Sequence, residues 1–251
     1  MVGEIRVIAV RGIGEVRPGE DLATTVLDAL ARQDLPLANG DVLVVTQKIV
    51  SKAEGRIIDP ADVEPSHLAE MAAVQGKKDA RYYEVVLRES RRIVRMDRGV
   101  LITETHHGLI CANSGVDESN VAGGQSVTLL PVDPDGSAVA LRAAIRERTG
   151  ADTAVIISDT FGRPWREGQV NVAIGVAGLA PLADYAEQQD GYGYTMHASL
   201  LAVADELASA AELVMGKIDA VPVAIIRGYA YQAANGSARE LIRAPEKDLF
   251  R

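Results

Sequence analysis

Short β-branched apolar runs alternate with stretches of helical spacing along this chain. Residues 42–45, 154–158 and 223–226 are Val/Ile/Leu/Ala runs, the second closing on Ser158, which predict buried strands. Residues 4–10 alternate toward a strand and end at Arg11-Gly12-Ile13-Gly14. Residues 21–33 set Leu22, Val26, Leu27 and Leu30 at helical spacing. Residues 66–96 are charged and helical in pattern, with a break at Gly76. Three short strand candidates follow, at 100–103, 108–112 and 127–130. Ser137 is placed to cap a helix running to Thr149, with Gly150 at its C-terminal end. Residues 170–178 fit a strand or a helix equally. Residues 195–215 predict one long Ala-rich helix, with Leu200, Val203, Leu207, Ala211 and Val214 on or near one face.

Strands and helices alternate imperfectly, and the middle is rich in strands. That predicts a mixed α/β (α+β) fold and not a regular parallel barrel. No repeat or low-complexity linker interrupts the chain, so residues 1–251 are read as one domain. Two sub-lobes fit this pattern, with residues 66–96 as a lobe of their own or a subunit contact.

Composition narrows the function. The net charge is −9, from 26 Lys and Arg against 35 Asp and Glu. No basic footprint for nucleic acid or a membrane surface exists, although a few local cations would still hold a nucleotide. The one cysteine, Cys111, lies in an apolar run, which rules out a disulfide framework and suggests a small buried strand residue. No apolar stretch reaches the roughly 18 residues that span a bilayer, and no basic-then-apolar leader opens the sequence. The expected location is the cytoplasm.

Two motifs carry candidate chemistry. Ala112-Asn113-Ser114-Gly115-Val116-Asp117-Glu118-Ser119-Asn120-Val121 and Val155-Ile156-Ile157-Ser158-Asp159-Thr160-Phe161-Gly162-Arg163-Pro164-Trp165-Arg166 each set a carboxylate where an apolar run stops and a polar, Gly-containing turn begins. Such turns present hard oxygen ligands together with backbone N–H groups, as a metal–phosphate site needs. Asx-type turns and a helix cap account for the same residues without any ligand. All-oxygen donors suit Mg²⁺ or Mn²⁺; zinc would want His or Cys clusters, and His106-His107 on one strand would point to opposite faces. Lys48 and Lys52 flank Ile49-Val50-Ser51 after a buried strand, either as point charges for phosphate oxygens or as solvated surface lysines. Gln47 reads as a loop amide. Arg163 and Arg166, near Trp165, would clamp a carboxylate or phosphate, or else form a charged turn with Trp165 packed beneath. Gly12 and Gly14 lack the third glycine of the dinucleotide fingerprint, and Gly216-Lys217 is no P-loop.

Taken together, residues 40–55, 102–121, 157–169 and 213–228 form four long signatures in order. In these the chain resembles the coenzyme F420-0:L-glutamate ligases, also called F420 γ-glutamyl ligases, from about Ile5 to Phe250. The resemblance implies a two-lobed fold that is neither Rossmann, P-loop nor ATP-grasp. It implies a homodimer and GTP-dependent addition of L-glutamate to F420-0 through an acyl phosphate, with γ-linked glutamates following. Divalent Mg²⁺ or Mn²⁺, two ions in all, would assist, with K⁺ as a further candidate. Carried over residue by residue, the metal ligands are Asp117, Asp159 and Thr160. Nucleotide contacts are Gly12, Ile13, Gly14, Gln47, Lys52, Asn120, Gly216 and Lys217, while Asp117, Asp159 and Lys52 carry the catalysis. A protonated Lys217 cannot itself ligate a metal. Arg163 and Arg166 are candidates for the glutamate carboxylates, and Glu104 or His107 for a base. The resemblance covers a ligase domain without the flavin-binding, nitroreductase-like domain fused to some relatives. A related amide ligase on another carboxylate, or a binding protein without turnover, are the competing readings.

Overall fold

The computed structural model describes residues 3–118, 126–197 and 199–248. Its centre is a five-stranded sheet made of β1 (Arg6–Val10), β2 (Val42–Thr46), β8 (Ala154–Arg163), β9 (Arg166–Ala177) and β12 (Val223–Arg227), in the order β1-β12-β2-β8-β9. Only β2 and β8 pair in parallel; the other neighbours are antiparallel. Both faces are covered, which is why the strands are apolar without alternation. One face packs on α1 (Leu22–Arg32), α2 (Gln47–Ala53) and α5 (Pro134–Thr149) through Leu43, Val45, Val155, Ile157 and Ile225. The other packs on α6 (Val203–Met215) through Val42, Val44, Ile156, Ala224 and Ile226. Fully burying one such Val, Ile or Leu side chain stabilises the fold by about 1.5–3 kcal/mol.

A second lobe has its own apolar core, formed by Val63, Ala72, Tyr83, Val86, Leu101 and Leu129 among others. It consists of the pair β3 (Ile57–Ile58) and β7 (Val127–Thr128), the helices α3 (His67–Gln75) and α4 (Ala80–Arg88), and a sheet of β4 (Ser90–Asp97), β5 (Val100–Thr105) and β6 (Ile110–Ala112). A small ribbon, β10 (Ala183–Asp184) with β11 (Leu200–Leu201), lies before α6. The α+β class and the two-lobed arrangement of the core are therefore as expected. A sheet with a single parallel pair is not a doubly wound dinucleotide fold.

Several local expectations are corrected. Residues 90–97 form a strand and not the end of a helix, because Ser90, Ile93 and Met96 turn inward at a bulged spacing of three that imitates a helical period. The helix expected over 195–215 begins only at Val203. The helix to Thr149 is capped by Asp133, which accepts from the Gly136 N–H, and not by Ser137; Gly150 ends it at φ 73° as expected. Residues 170–178 resolve as strand, in β9. His106 and His107 lie in the β5–β6 turn and not on a strand.

The most consequential correction concerns residues 159–163. Instead of a loop they continue β8, paired with β9 from Asp159 opposite Val172 to Gly162 opposite Gln169, and after a register shift Arg163 meets Arg166 across a turn at Pro164-Trp165. Trp165 sits at this tip with φ 59° and is 80% exposed, so it is not packed beneath the turn. A register shift between Ile157 and Ser158 bends the ribbon where it leaves the core. There Gly175 is required: a Cβ would stand 2.3 Å from the Pro134 carbonyl oxygen.

Asp41 anchors the start of β2. It is almost fully buried, accepts from Arg227 Nε at 2.8 Å and Nη2 at 2.7 Å, and takes the Ala38 N–H at 2.8 Å. Asp41→Asn breaks the fork while leaving the guanidinium half covered. The expected loss is about 2–3 kcal/mol, read as a clear drop in urea midpoint at unchanged m.

Candidate active site

The parallel pairing of β2 and β8 puts Thr46 beside Ser158. The next residues, Gln47-Lys48 on one side and Asp159-Thr160 on the other, therefore leave the core together. Gln47 is not a loop amide: it opens α2, is almost fully buried, and accepts from Ser51 Oγ at 2.7 Å. Its Nε2 has no partner, and neither does the buried Ser158 hydroxyl. Two orphaned polar groups at one strand end are unusual in a core, where such atoms are normally satisfied.

Asp117 arrives from the small lobe. After β6 the chain turns through Asn113, Ser114 and Gly115, all at positive φ. The Ser114 hydroxyl, buried 2.7 Å from both Thr103 Oγ1 and Ser90 Oγ, locks that turn. Gly115 is needed because Leu130 lies 2.9 Å from where its Cβ would be. Asp117 then bridges to Thr128 through its backbone and pairs with Lys48 Nζ at 2.9 Å. Its side chain thus faces across the lobes.

Asp159 faces the same space. Burial pushes its carboxyl up to about 6, the Asp117 charge adds to the rise, and the Thr160 N–H, Lys48 and Lys217 pull it back. Cys111 lies close enough to feel Asp159; its thiol, pushed up to about 12 chiefly by burial, is a packing residue and not a nucleophile. Lys217 pairs with Glu212 at 3.5 Å and donates to Thr160 Oγ1, whose own hydroxyl donates to Asn171 Oδ1 at 2.7 Å. Asn171 Nδ2 in turn holds Glu212 at 2.8 Å. Gly216 supplies the φ 60° that ends α6 and presents Lys217.

The Gly12–Gly14 turn follows β1 and leads to Glu15, which pairs with Lys52 Nζ at 2.6 Å. Lys52 is buried, against the surface reading, and Ile13 is a core residue. Gly12 stands at φ 77° with its carbonyl accepting from Arg32. Asn120 lies outside the described residues. Arg163 and Arg166 are not brought to the carboxylates. Four residues past Asp159 is about 13 Å along a strand, and Arg163 donates to the Glu167 and Gly168 carbonyls of its own turn. His107 bonds the Pro131 carbonyl at 2.9 Å, and Glu104 is held by Arg91 and Arg92, so neither base candidate faces this centre through those contacts.

Among the described residues no group of three His, Cys, Asp or Glu forms a metal cluster. Asp117, Asp159 and Thr160 still fit a hard divalent cation. Two carboxylates, the charge of Asp117 raising the proton affinity of Asp159, beside a hydroxyl are an oxygen donor set of the kind Mg²⁺ shares with substrate phosphates and water.

Fold and site define an α+β protein whose two lobes meet at a mixed carboxylate–lysine centre. The family described as F420-0:Gamma-glutamyl ligase matches residues 12–228, and this chain belongs to it. The chain is similar to a coenzyme F420:L-glutamate ligase of Methanothermobacter thermautotrophicus, 46% identical over 250 residues that cover 98% of this chain and 99% of the relative. It is also similar to proteins of the same name from Methanopyrus kandleri, 46% identical over 94% of each chain, and Methanocaldococcus jannaschii, 44% identical over 86% of each. No described helix is long and apolar enough to cross a membrane.

The raised Asp159 carboxyl has a stability consequence. Between its ordinary pKa and about 6 the folded protein holds a proton that the unfolded chain releases, so stability falls as pH rises through that window. In metal-free buffer at pH 7.5, Asp159→Asn is expected to raise stability by about 1–2 kcal/mol. The gain should shrink to a small fraction near pH 4, where the wild-type group is neutral in the folded state and about half ionised in the unfolded chain. Paired thermal melts at the two pH values check this, and a variant less stable at pH 7.5 contradicts it.

Proposed function

We infer that this chain joins L-glutamate to coenzyme F420-0 with GTP as the activating nucleotide, and adds further glutamates through γ-linkages. The observation that carries this reading is the convergence of Asp117, Asp159 and Lys48 where two lobes meet, in a chain of the family whose relatives bear that name.

The chemistry follows from what a carboxylate lacks. Its carbon does not accept an amine until an oxygen leaves easily. One carboxylate oxygen of F420-0 attacks the γ-phosphorus of GTP, the bond to the β-phosphate oxygen breaks, and GDP departs. The glutamate nitrogen, having lost a proton, then attacks the acyl carbon, and inorganic phosphate leaves with the bonding pair. Asp117, Asp159 and Thr160 would hold Mg²⁺ or Mn²⁺, which when bound neutralises charge between the two anions that must meet. Lys48 and Lys217 add positive charge at the same centre, and a lysine ammonium acts on phosphate as a mobile point charge. Lys52, anchored by Glu15 beside the Gly12–Gly14 turn, is a phosphate contact at the rear of the site. Water-poor surroundings strengthen each of these interactions. A homodimer in the cytoplasm is the working state we assign to it.

The test is mass spectrometry of F420-0 incubated with the protein, L-glutamate, GTP and Mg²⁺ or Mn²⁺. A gain of one or more glutamyl units that needs both GTP and metal is expected. Folded protein that yields no product with any nucleotide overturns the reading, and equal yield with ATP overturns the choice of GTP. Asp117→Asn should lower turnover at least about 100-fold with the fold intact.

A further inference from the structure

Residues 77–98 hold eight of the chain's 26 Lys and Arg but four of its 35 Asp and Glu. In a chain of net charge −9 this gathers positive potential on the small lobe. The centre of the patch is β4. Register shifts between Ser90 and Arg92, and between Ile93 and Arg95, put extra residues into the strand. Arg91, Arg92 and Arg95 all end on the exposed side, while Ser90, Ile93 and Met96 turn inward. The Arg91 and Arg95 side chains are 71% and 73% exposed.

Glu104 organises two of these arginines. Almost fully buried on β5, it accepts from Arg92 Nε at 2.7 Å and from Arg91 Nη1 at 3.3 Å. One carboxylate between two guanidiniums leaves the group positive and limits how the forks can turn. The row continues across the sheet, since Arg92 stands opposite Glu104 and Glu104 opposite Ile110. Ile110 lines an open cavity of about 360 Å³ together with Phe161, Val172 and Arg243. Val172 is the strand partner of Asp159. Arginine row, cavity and carboxylate centre are thus linked element by element.

We propose that Arg91 and Arg92, positioned by Glu104, bind the carboxylates of the acceptor's γ-glutamyl tail; this rests on the ligase reading above. A glutamate joined through its γ-carboxyl keeps a free α-carboxylate, so the tail is an oligoanion with one charge per added unit and one more at its end. Guanidinium forks match carboxylates in plane and in spacing of donors. A single exposed pair contributes little, but several tethered carboxylates act together. Affinity therefore grows with tail length, and so does its sensitivity to salt.

The experiment is calorimetric titration of the full chain with γ-linked triglutamate and with monoglutamate, at about 0.05 M and 0.3 M salt. Wild type should bind triglutamate about tenfold more tightly than monoglutamate at low salt, with the difference shrinking at high salt. Arg91→Gln/Arg92→Gln should abolish the difference, and Glu104→Gln should reduce it. The double variant should also raise KM for an acceptor with two glutamyl units but not for F420-0, at unchanged kcat and unchanged KM for GTP. Length-independent binding by wild type, or triglutamate binding equal in wild type and the folded double variant, overturns the proposal. If Glu104→Gln does not fold, Arg95→Gln on the same exposed face should give a smaller loss, and no loss counts against the site. The binding arm needs no turnover. Length-dependent binding by a protein that adds no glutamate would fail the ligase reading alone.

Discussion

The site depends on one constraint, the parallel register of β2 with β8. Val42 to Thr46 lie level with Ala154 to Ser158, so the chain leaves both strands at the same edge. Gln47 and Lys48 are delivered by one strand and Asp159 and Thr160 by the other. Every residue of the paired core segments from 42 to 45 and 154 to 157 is fully buried, which makes this edge rigid. A slip of one residue would turn Asp159 toward the opposite face and carry Lys48 away from it. β8 does not stop at this edge. It runs on with β9 as a two-stranded ribbon, so Asp159 has a strand neighbour on one side and the small lobe on the other.

The remaining carboxylate comes from a different lobe, and this explains the electrostatics. Asp117 is carried by a turn that Ser114 fastens into the small-lobe core, while Asp159 is fixed to the large sheet. Neither can retreat from the other without disturbing a packed element. Lys48 answers Asp117 and helps hold Asp159 toward its charged form, yet burial keeps the Asp159 carboxyl high. A centre assembled this way is electrostatically unfinished. The raised carboxyl and the orphaned Gln47 and Ser158 groups lie together, as expected of a site shaped for a partner and not for stability alone.

Much of the framework was legible in the sequence, because its buried strands are β-branched runs and its first helix has both a spacing and an Asp21 cap. The four signatures located the carboxylates and lysines as well. What could not be read was direction. The motif at 155–166 looks like a strand ending in a polar turn because Ser158, Asp159 and Thr160 are polar on both faces; pairing with Asn171 to Ala173 keeps them extended, and that partner lies beyond the turn. Lys52 looks like any surface lysine until the loop after β1 brings Glu15 over it. Asn171 and Glu212, which steady Thr160, carry no local signal; a plain two-residue turn at Pro164-Trp165 would set Gln169 opposite Thr160, and only the register shift at the ribbon's tip brings Asn171 there.

Charge placement gives the last step. A protein of net charge −9 repels anions at long range, so the reaction proposed for it would require it to concentrate its cations. It does so at two distances from the chemistry. Lys48 and Lys217 stand at the carboxylate centre and Lys52 beside Glu15, each already committed to a carboxylate or hydroxyl partner that the phosphate of the proposed reaction would have to share or displace. Arg91 and Arg92 of β4 stand outside it, exposed and paired with Glu104, where solvent screening makes each contact weak and readily exchanged. Point charges near the reacting phosphate and planar forks farther out are different instruments. The first would suit the phosphate of the proposed reaction, which changes charge as it transfers, and the second the proposed γ-glutamyl tail, whose carboxylates would have to be held loosely enough to move on.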